Sequence, residues 1–252
     1  MAKNESSNTY KRLVMVSLTY FTISLFILTS IVYAWFTMTN TNRANLVAGI
    51  SGVEAEYQFY IYQDTYRNGS SNLTLENNVC TPSKTDECYE LITNPTVPTL
   101  IPGFVAPGER FSFAIRIVSV GASSGRLRLD LGGLTSTGFD LEVNKIQSAF
   151  SYEVTKISYI DMGIESSDQK DQEPIVYYNE HFVYDNNGPY PLVESVPMGQ
   201  QNGQNSIIVI YFDLYFDPFV YGFDIYGEPY TNSNIFMNQI FTVNHIFMIV
   251  AP

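Results

Sequence analysis

A long apolar run near the N-terminus constrains this chain more than any other feature. Residues 13–36 read LVMVSLTYFTISLFILTSIVYAWF, and no charged residue stands between Arg12 and Arg43. As a helix that rises about 1.5 Å per residue, this run would extend about 36 Å, which is enough to cross a hydrocarbon core of about 30 Å. The run therefore predicts an N-terminal transmembrane or signal helix.

Basic residues on one side of the run predict its orientation. Lys3, Lys11 and Arg12 stand against a single acidic residue, so residues 1–12 carry a net charge of +2. The positive-inside rule keeps such a flank in the cytoplasm. We therefore expect a cytoplasmic n-region at residues 1–12 and an extracellular domain at residues 37–252.

The end of the run also resembles a signal-peptidase site. Val32, Tyr33 and Ala34 place a small residue before the cut, and Trp35 would then begin the mature chain. A secretory h-region usually has about 7–15 apolar residues, so the greater length of this run also suits a retained anchor. Cleavage between Ala34 and Trp35 and retention in the membrane both remain open.

Beyond residue 12, the composition is that of an acidic β-protein. Ten basic residues stand against 24 acidic ones, a net charge of −14. Nucleic acid and anionic membrane surfaces repel such a domain, so both are poor partners. The 19 tyrosines and 17 phenylalanines favour strands over helices. A segment of this length can bury a real core, and we expect one all-β domain.

The two cysteines, Cys80 and Cys88, lie close together in a polar stretch. In an oxidising exterior they would most simply form one local disulfide that closes a small loop. Free thiols are the alternative, and a metal site would need more ligands than this stretch contains.

Alternating or continuous apolar residues predict seven strands, at residues 54–62, 111–118, 126–131, 151–160, 175–184, 207–216 and 239–250. Residues 121–125 contain two glycines and two serines and fit a hairpin turn. The run at 207–216 is apolar nearly throughout, which is typical of a strand covered on both faces. Residues 141–150 fit a short helix less clearly.

Turn-forming residues predict long loops at 63–99, 161–173 and 186–206. The loop at 161–173 contains Glu165, Asp168 and Asp171, but it does not follow the calcium-binding pattern of an EF-hand. A solvated acidic loop is therefore favoured over a cation site.

Residues 219–234 are rich in tyrosine, glycine and asparagine. Tyr221, Tyr226 and Tyr230 are candidates for contact with a glycan or protein partner. The alternative is that these rings line the edge of the core.

No catalytic pattern stands out in the chain. His181 and His245 each lie alone in a predicted strand, where packed or hydrogen-bonded histidines are commoner than catalysts. Asp213 and Asp217 are carboxylates that a surface hydrolase would use, but no local motif accompanies them. We expect no enzyme, no cofactor and no bound metal.

The order of several short motifs resembles the bacterial TasA/camelysin group of secreted β-sandwich proteins, whose precursors are processed by a SipW-type signal peptidase. The matching segments are residues 34–36 (AWF), 48–50 (AGI), 106–109 (APGE), 119–121 (SVG) and 215–218 (YFDP). The resemblance implies a jelly-roll-like antiparallel β-sandwich after the N-terminal helix.

The resemblance also implies a function. Members of the group assemble into extracellular fibres, in which an N-terminal strand is donated to the next subunit; here the donor would be residues 35–47. We therefore expect a surface or secreted structural protein that associates with itself. The alternative is a membrane-tethered, monomeric, adhesin-like module that binds a glycan or a protein.

Overall fold

The computed structural model describes residues 54–67, 72–92, 105–120, 124–138, 145–201, 204–217, 224–229, 233–236 and 239–251. All of them belong to one of the two units into which the chain divides, Ala44–Pro252. The apolar run at 13–36 and its predicted cleavage site lie outside the described residues. Within those residues, no helix has the length and apolarity to cross a membrane.

The described residues form thirteen strands: β1 (Glu54–Gln63), β2 (Cys88–Leu91), β3 (Arg110–Val120), β4 (Gly125–Thr137), β5 (Phe150–Asp161), β6 (Ile164–Glu165), β7 (Val176–Tyr177), β8 (Asn179–His181), β9 (Tyr190–Met198), β10 (Gln200–Gln201), β11 (Gln204–Asn205), β12 (Ile207–Phe216) and β13 (Ile240–Ala251). Their helical segments are short 3₁₀ turns at Leu75–Asn77, Ile146–Ala149 and Ser233–Phe236.

The strands form two main sheets. The large sheet has the order β2-β1-β3-β12-β5-β6, with β8 also paired to β5, and the small sheet has the order β13-β4-β9-β7. Strands β10 and β11 form a separate hairpin. Every strand-to-strand pairing among the described residues is antiparallel. The prediction of an all-β, antiparallel, sandwich-like domain is therefore confirmed.

From β3 onward, the long strands alternate between the two sheets. Strands β3, β5 and β12 belong to the large sheet, whereas β4, β9 and β13 belong to the small one. The hairpin predicted at residues 121–125 was therefore wrong, since that segment joins strands of different sheets. Alternating apolar residues indicate that one face of a strand is buried, but they do not indicate which strand is its neighbour in the sheet.

The core lies between the two sheets. The large sheet contributes Phe113, Ile115 and Ile117 from β3, and the small sheet contributes Leu127 and Leu129 from β4. All five side chains are at most 3% exposed. The alternation seen in the sequence of these two strands thus corresponds to their core-facing positions.

A second, smaller core covers the outer face of the large sheet. Tyr60, Tyr89, Val209 and Tyr211 from the sheet pack there against Leu75. Strand β12 is consequently buried on both faces, as its continuous apolar sequence predicted. Strand β3, which was expected to be half-buried, is also covered on both faces over much of its length.

Strand β9 lies inside residues 186–206, which were predicted to be a loop, so that prediction was wrong. Pro191 and Pro197 favoured the loop because proline cannot donate to a sheet. Strand β7 pairs only with Val193 and Glu194 of β9, so neither proline faces that neighbour. The pairing with β4 also contains register irregularities, which accommodate proline.

Two other predictions need smaller corrections. Residues 175–184 form two short strands in different sheets, β7 and β8, instead of one. In the ambiguous stretch at 141–150, the described part is the 3₁₀ turn Ile146–Ala149, which leads directly into β5. All four residues of the turn are buried, including the polar Gln147 and Ser148.

Candidate functional site

The most elaborate side-chain arrangement lies on the outer face of the large sheet, under residues 72–92, which we name the disulfide segment. Cys80 and Cys88 are bonded there, with a Cα–Cα distance of 4.9 Å. Two backbone hydrogen bonds hold the chain on either side of the crosslink. Cys80 N–H donates to the Tyr89 carbonyl at 2.9 Å, and Tyr89 N–H donates to the Asn78 carbonyl at 2.7 Å. The predicted disulfide is confirmed.

The disulfide segment ends in the edge strand β2, and two of its residues, Leu75 and Tyr89, are buried against neighbouring strands of the sheet. Leu75 and Tyr89 are each 1% exposed. The Tyr89 ring contacts Tyr62 and Tyr211, with centroid distances of 5.2 and 5.7 Å. Leu75 N–H donates to the Tyr211 hydroxyl at 2.7 Å. The segment is therefore held by ring packing and by a buried polar contact.

The Tyr211 hydroxyl continues the polar contact towards β6. It donates to Glu165 Oε1 at 2.8 Å, and Lys156 Nζ lies 3.0 Å from the same oxygen. The Ser158 hydroxyl also donates to it. Burial, together with the neighbouring Glu165 carboxylate, raises the pKa of Tyr211. One carboxylate oxygen thus connects β12, β5 and β6.

The burial of Glu165 corrects the prediction of a fully solvated acidic loop. Its side chain is 2% exposed, and its Oε2 atom has no hydrogen-bond partner among the described residues. Asp168 instead accepts the backbone N–H groups of Ile157 and Lys170 at 3.0 and 3.1 Å. Asp171 accepts the Tyr177 hydroxyl. The three carboxylates therefore serve separate donors, and no group of three or more metal-ligating side chains occurs in the described part of the chain.

The two carboxylates considered for a hydrolase are both buried. The Asp213 side chain is 2% exposed, and its Oδ2 lies 3.1 Å from Arg110 Nη1. The same guanidinium lies 3.5 Å from Glu153 and over the Tyr215 ring. Asp217 is 6% exposed, and its backbone N–H donates to the Ala149 carbonyl. Asp213 therefore balances the charge of Arg110 within the sheet face.

The histidines lie at the protein surface instead of being packed in the core. His181 is exposed on β8, opposite Ser151 of β5. His245 is exposed on β13, with its ring centroid 5.7 Å from that of Phe247. Both strands lie at sheet edges in the described part of the chain, and neither histidine is buried in the core.

Of the three candidate contact tyrosines, the structure describes Tyr226. It is 77% exposed, beside Ile225 at 47%. The Asp224 carboxylate accepts the backbone N–H groups of Tyr226 and Glu228 at 2.8 and 2.9 Å and shapes the turn. Tyr221 and Tyr230 lie outside the described residues. The Tyr226 ring is available to solvent, whereas a residue that lines the core edge would be covered.

Replacing both cysteines, as Cys80→Ala with Cys88→Ala, is expected to lower the free energy of unfolding by about 2–3 kcal/mol, because the crosslink no longer restricts the unfolded chain. Urea denaturation of the oxidised protein and of the double variant measures this loss. Ser83→Ala, an exposed change inside the same loop, is the control and should have almost no effect. Equal stability of the double variant and the parent would contradict the prediction.

Sequence reasoning predicted the disulfide but missed the layer it supports. The available signal was the position of Leu73, Leu75 and Tyr89, which are apolar residues around the cysteines in a polar stretch. Their burial against the sheet is what makes the segment a structured covering.

Comparison with known proteins gave no match to a protein-family model, to a curated protein or to a solved structure. The resemblance to the TasA/camelysin group therefore stays a prediction that rests on the short segments quoted above.

Proposed function

We propose that this chain is a surface-displayed or secreted structural protein that assembles into extracellular fibres. The observation that supports this most is the antiparallel two-sheet domain with its Cys80–Cys88 disulfide, since stable structural disulfides are typical of oxidising compartments. The basic flank and apolar run before the domain suit export.

The proposed assembly uses strand addition. Residues 35–47 would pair with the sheet edge of another subunit, and main-chain hydrogen bonds would supply most of the affinity. The jelly-roll-like arrangement expected from the resemblance belongs to the same proposal. The partners are further copies of the chain or other surface proteins, and the location is the cell surface or the extracellular space.

The test compares the parent with an Ala34→Leu variant, in which the small residue before the cut is lost. We expect extracellular parent protein to begin at Trp35 by N-terminal sequencing and to form polymers in negative-stain micrographs. The variant should stay full-length in the membrane fraction and form no polymer. Parent protein that remains full-length and monomeric in membranes would contradict the fibre proposal.

That last outcome would support the second candidate, a membrane-tethered binding module. The exposure of Tyr226 and Ile225 favours it, because aromatic and apolar side chains in solvent suit contact with a glycan or protein. Residues 13–36 would then remain as the anchor.

A further inference from the structure

Among the described residues, the terminal strands of the two sheets differ strongly in length. The large sheet ends at β2, which has four residues, and at β6 and β8, which have two and three. The small sheet ends at β7, which has two residues, and at β13, which has twelve. Short edge strands offer few main-chain groups to a partner, whereas a long one is a template for pairing.

Strand β13 also lacks the charged side chains and the proline that often protect an edge. Its sequence, IFTVNHIFMIVA, contains no acidic residue, no lysine, no arginine and no proline. Ile240 and Ile249, near its two ends, are 60% and 40% exposed. In the described part of the chain, β4 is its only strand partner. One side of β13 is therefore a long, uncharged edge.

The side chains of β13 change face in the middle of the strand. Phe241 and Val243 pack against the core before the change, and Ile246 and Met248 do so after it. Core-facing positions thus switch from odd to even numbers. The switch falls between Val243 and Ile246.

The neighbouring strand β4 makes the same change. Leu129 and Leu131 face the core before it, and Leu134 does so after it. Gly133 lies between them with a φ of +63°, and its carbonyl accepts the Asn244 side-chain amide at 2.6 Å. Glycine adopts this backbone conformation without strain. The change of face is therefore shared by both strands of the pair.

We propose that β13 pairs antiparallel with β13 of a second copy of this chain, about a two-fold axis at its centre. In the register where Asn244 faces His245 of the other copy, each core-facing residue meets a core-facing residue, and each outward residue meets an outward one. The resulting cross-strand pairs are Phe241 with Met248, Val243 with Ile246, Thr242 with Phe247, and Ile240 with Ile249.

The face pattern of β13 excludes a slip of one residue from this register. A slip by one residue would place core-facing side chains opposite outward ones along the whole strand. Because the strand is uncharged, the two-fold axis brings no like charges together. The two exposed isoleucines cover each other at both ends. A strand of this kind fits its own copy, and the pairing joins two small sheets into one.

This interface does not rest on the proposed fibre function. Strand donation by residues 35–47 would join copies head to tail, whereas β13 pairing joins two copies symmetrically. Either contact can therefore fail without the other.

Crosslinking of the full-length protein tests the register. Opposed positions bring their Cβ atoms to about 4.5–5.5 Å, so Ile240→Cys protein mixed with Ile249→Cys protein should form a covalent dimer with a short thiol crosslinker. Each variant alone should not, because identical positions lie about 30 Å apart in this pairing. The natural cysteines are bonded to each other and do not compete.

A second variant tests the edge itself. Thr242→Lys places a charge opposite Phe247 of the other copy, and we expect at least a tenfold rise in the dimer dissociation constant by sedimentation velocity. The control is Thr81→Lys, an exposed change in the disulfide segment. Two results of the crosslinking would overturn the proposal: no crosslink in the mixture, or a crosslink in a single variant alone. A third would be a crosslink between Asn40→Cys protein and Ile249→Cys protein in place of the expected one, because residues 35–47 of another copy would then occupy the β13 edge.

Discussion

We expect the β-domain to unfold as the pH rises from about 10 to about 12. Burial raises the pKa of Tyr159 to about 12 from the ordinary value of 10.0. Burial also raises the pKa of Tyr152 and Tyr211, and in both cases a neighbouring carboxylate adds to the effect. All three rings lie in strands of the large sheet, so their ionisation would act on the centre of the fold.

The direction follows from proton linkage. In the unfolded chain a tyrosine ionises near pH 10, whereas these folded tyrosines stay neutral. The stability is therefore complete below pH 10 and falls as the pH rises, because only the unfolded state gains from losing the proton. Because the pKa of Tyr159 rises from 10.0 to about 12, this ring alone would reduce the free energy of unfolding by about 2–3 kcal/mol at pH 12.

The measurement follows tyrosinate absorbance and circular dichroism together during an alkaline titration. Tyr159→Phe should move the unfolding midpoint to higher pH, since this ring can no longer ionise. The variant also loses the hydrogen bond from the hydroxyl to the Pro197 carbonyl, which costs about 1 kcal/mol at neutral pH. Tyr66→Phe, at a site 78% exposed, is the control. Ionisation of all tyrosines near pH 10 with the fold intact would contradict the prediction.

The Phe113→Ala variant is expected to lose about 3–5 kcal/mol of unfolding free energy. Phe113 is 3% exposed in β3, between β1 and β12. Its ring stacks on Phe59 and Phe212, with centroid distances of 5.5 and 5.2 Å. Truncation would leave a cavity between two rings on adjacent strands, where the rigid sheet allows little collapse. The loss is large compared with the typical free energy of unfolding of a native protein, about 5–15 kcal/mol.

Urea denaturation measures the effect, and an unchanged slope would show that the unfolded state is unaltered. Phe113→Leu keeps most of the apolar volume and should lose much less. Tyr66→Ala removes an aromatic ring from an exposed position and is the matched surface control. A loss below about 1 kcal/mol in the Phe113→Ala variant would show that the ring stack does not stabilise the core.

Much of the strand content was predictable from local pattern. β1, β3, β5 and β12 lie close to their predicted ranges, because their apolar residues either alternate or run continuously. β9 could not be predicted in this way, because its sequence contains two prolines and is flanked by glycines, a composition typical of loops. Only its place beside a two-residue neighbour makes those prolines acceptable.

The candidate site was predictable in part. Cys80 and Cys88 are close in sequence, so their pairing followed from chemistry and spacing. The burial of Glu165 could not be predicted from the sequence, because it depends on β12 and β5 being neighbours. Its partner Tyr211 lies far away along the chain, and its partner Lys156 lies on the other side of a turn. Polar composition alone indicated a solvated loop.

The sequence by itself determined the acidic β-rich character, most strand positions, the local disulfide, and the expectation of a basic-flanked membrane or signal run at residues 13–36. Only the tertiary structure decided which sheet each strand joins, that the disulfide segment covers the outer face of the large sheet, and that β13 is a long edge strand whose only strand partner in the described part of the chain is β4. The reason is physical: a side-chain period of two records which face of a strand is buried, whereas pairing between distant strands depends on the whole chain.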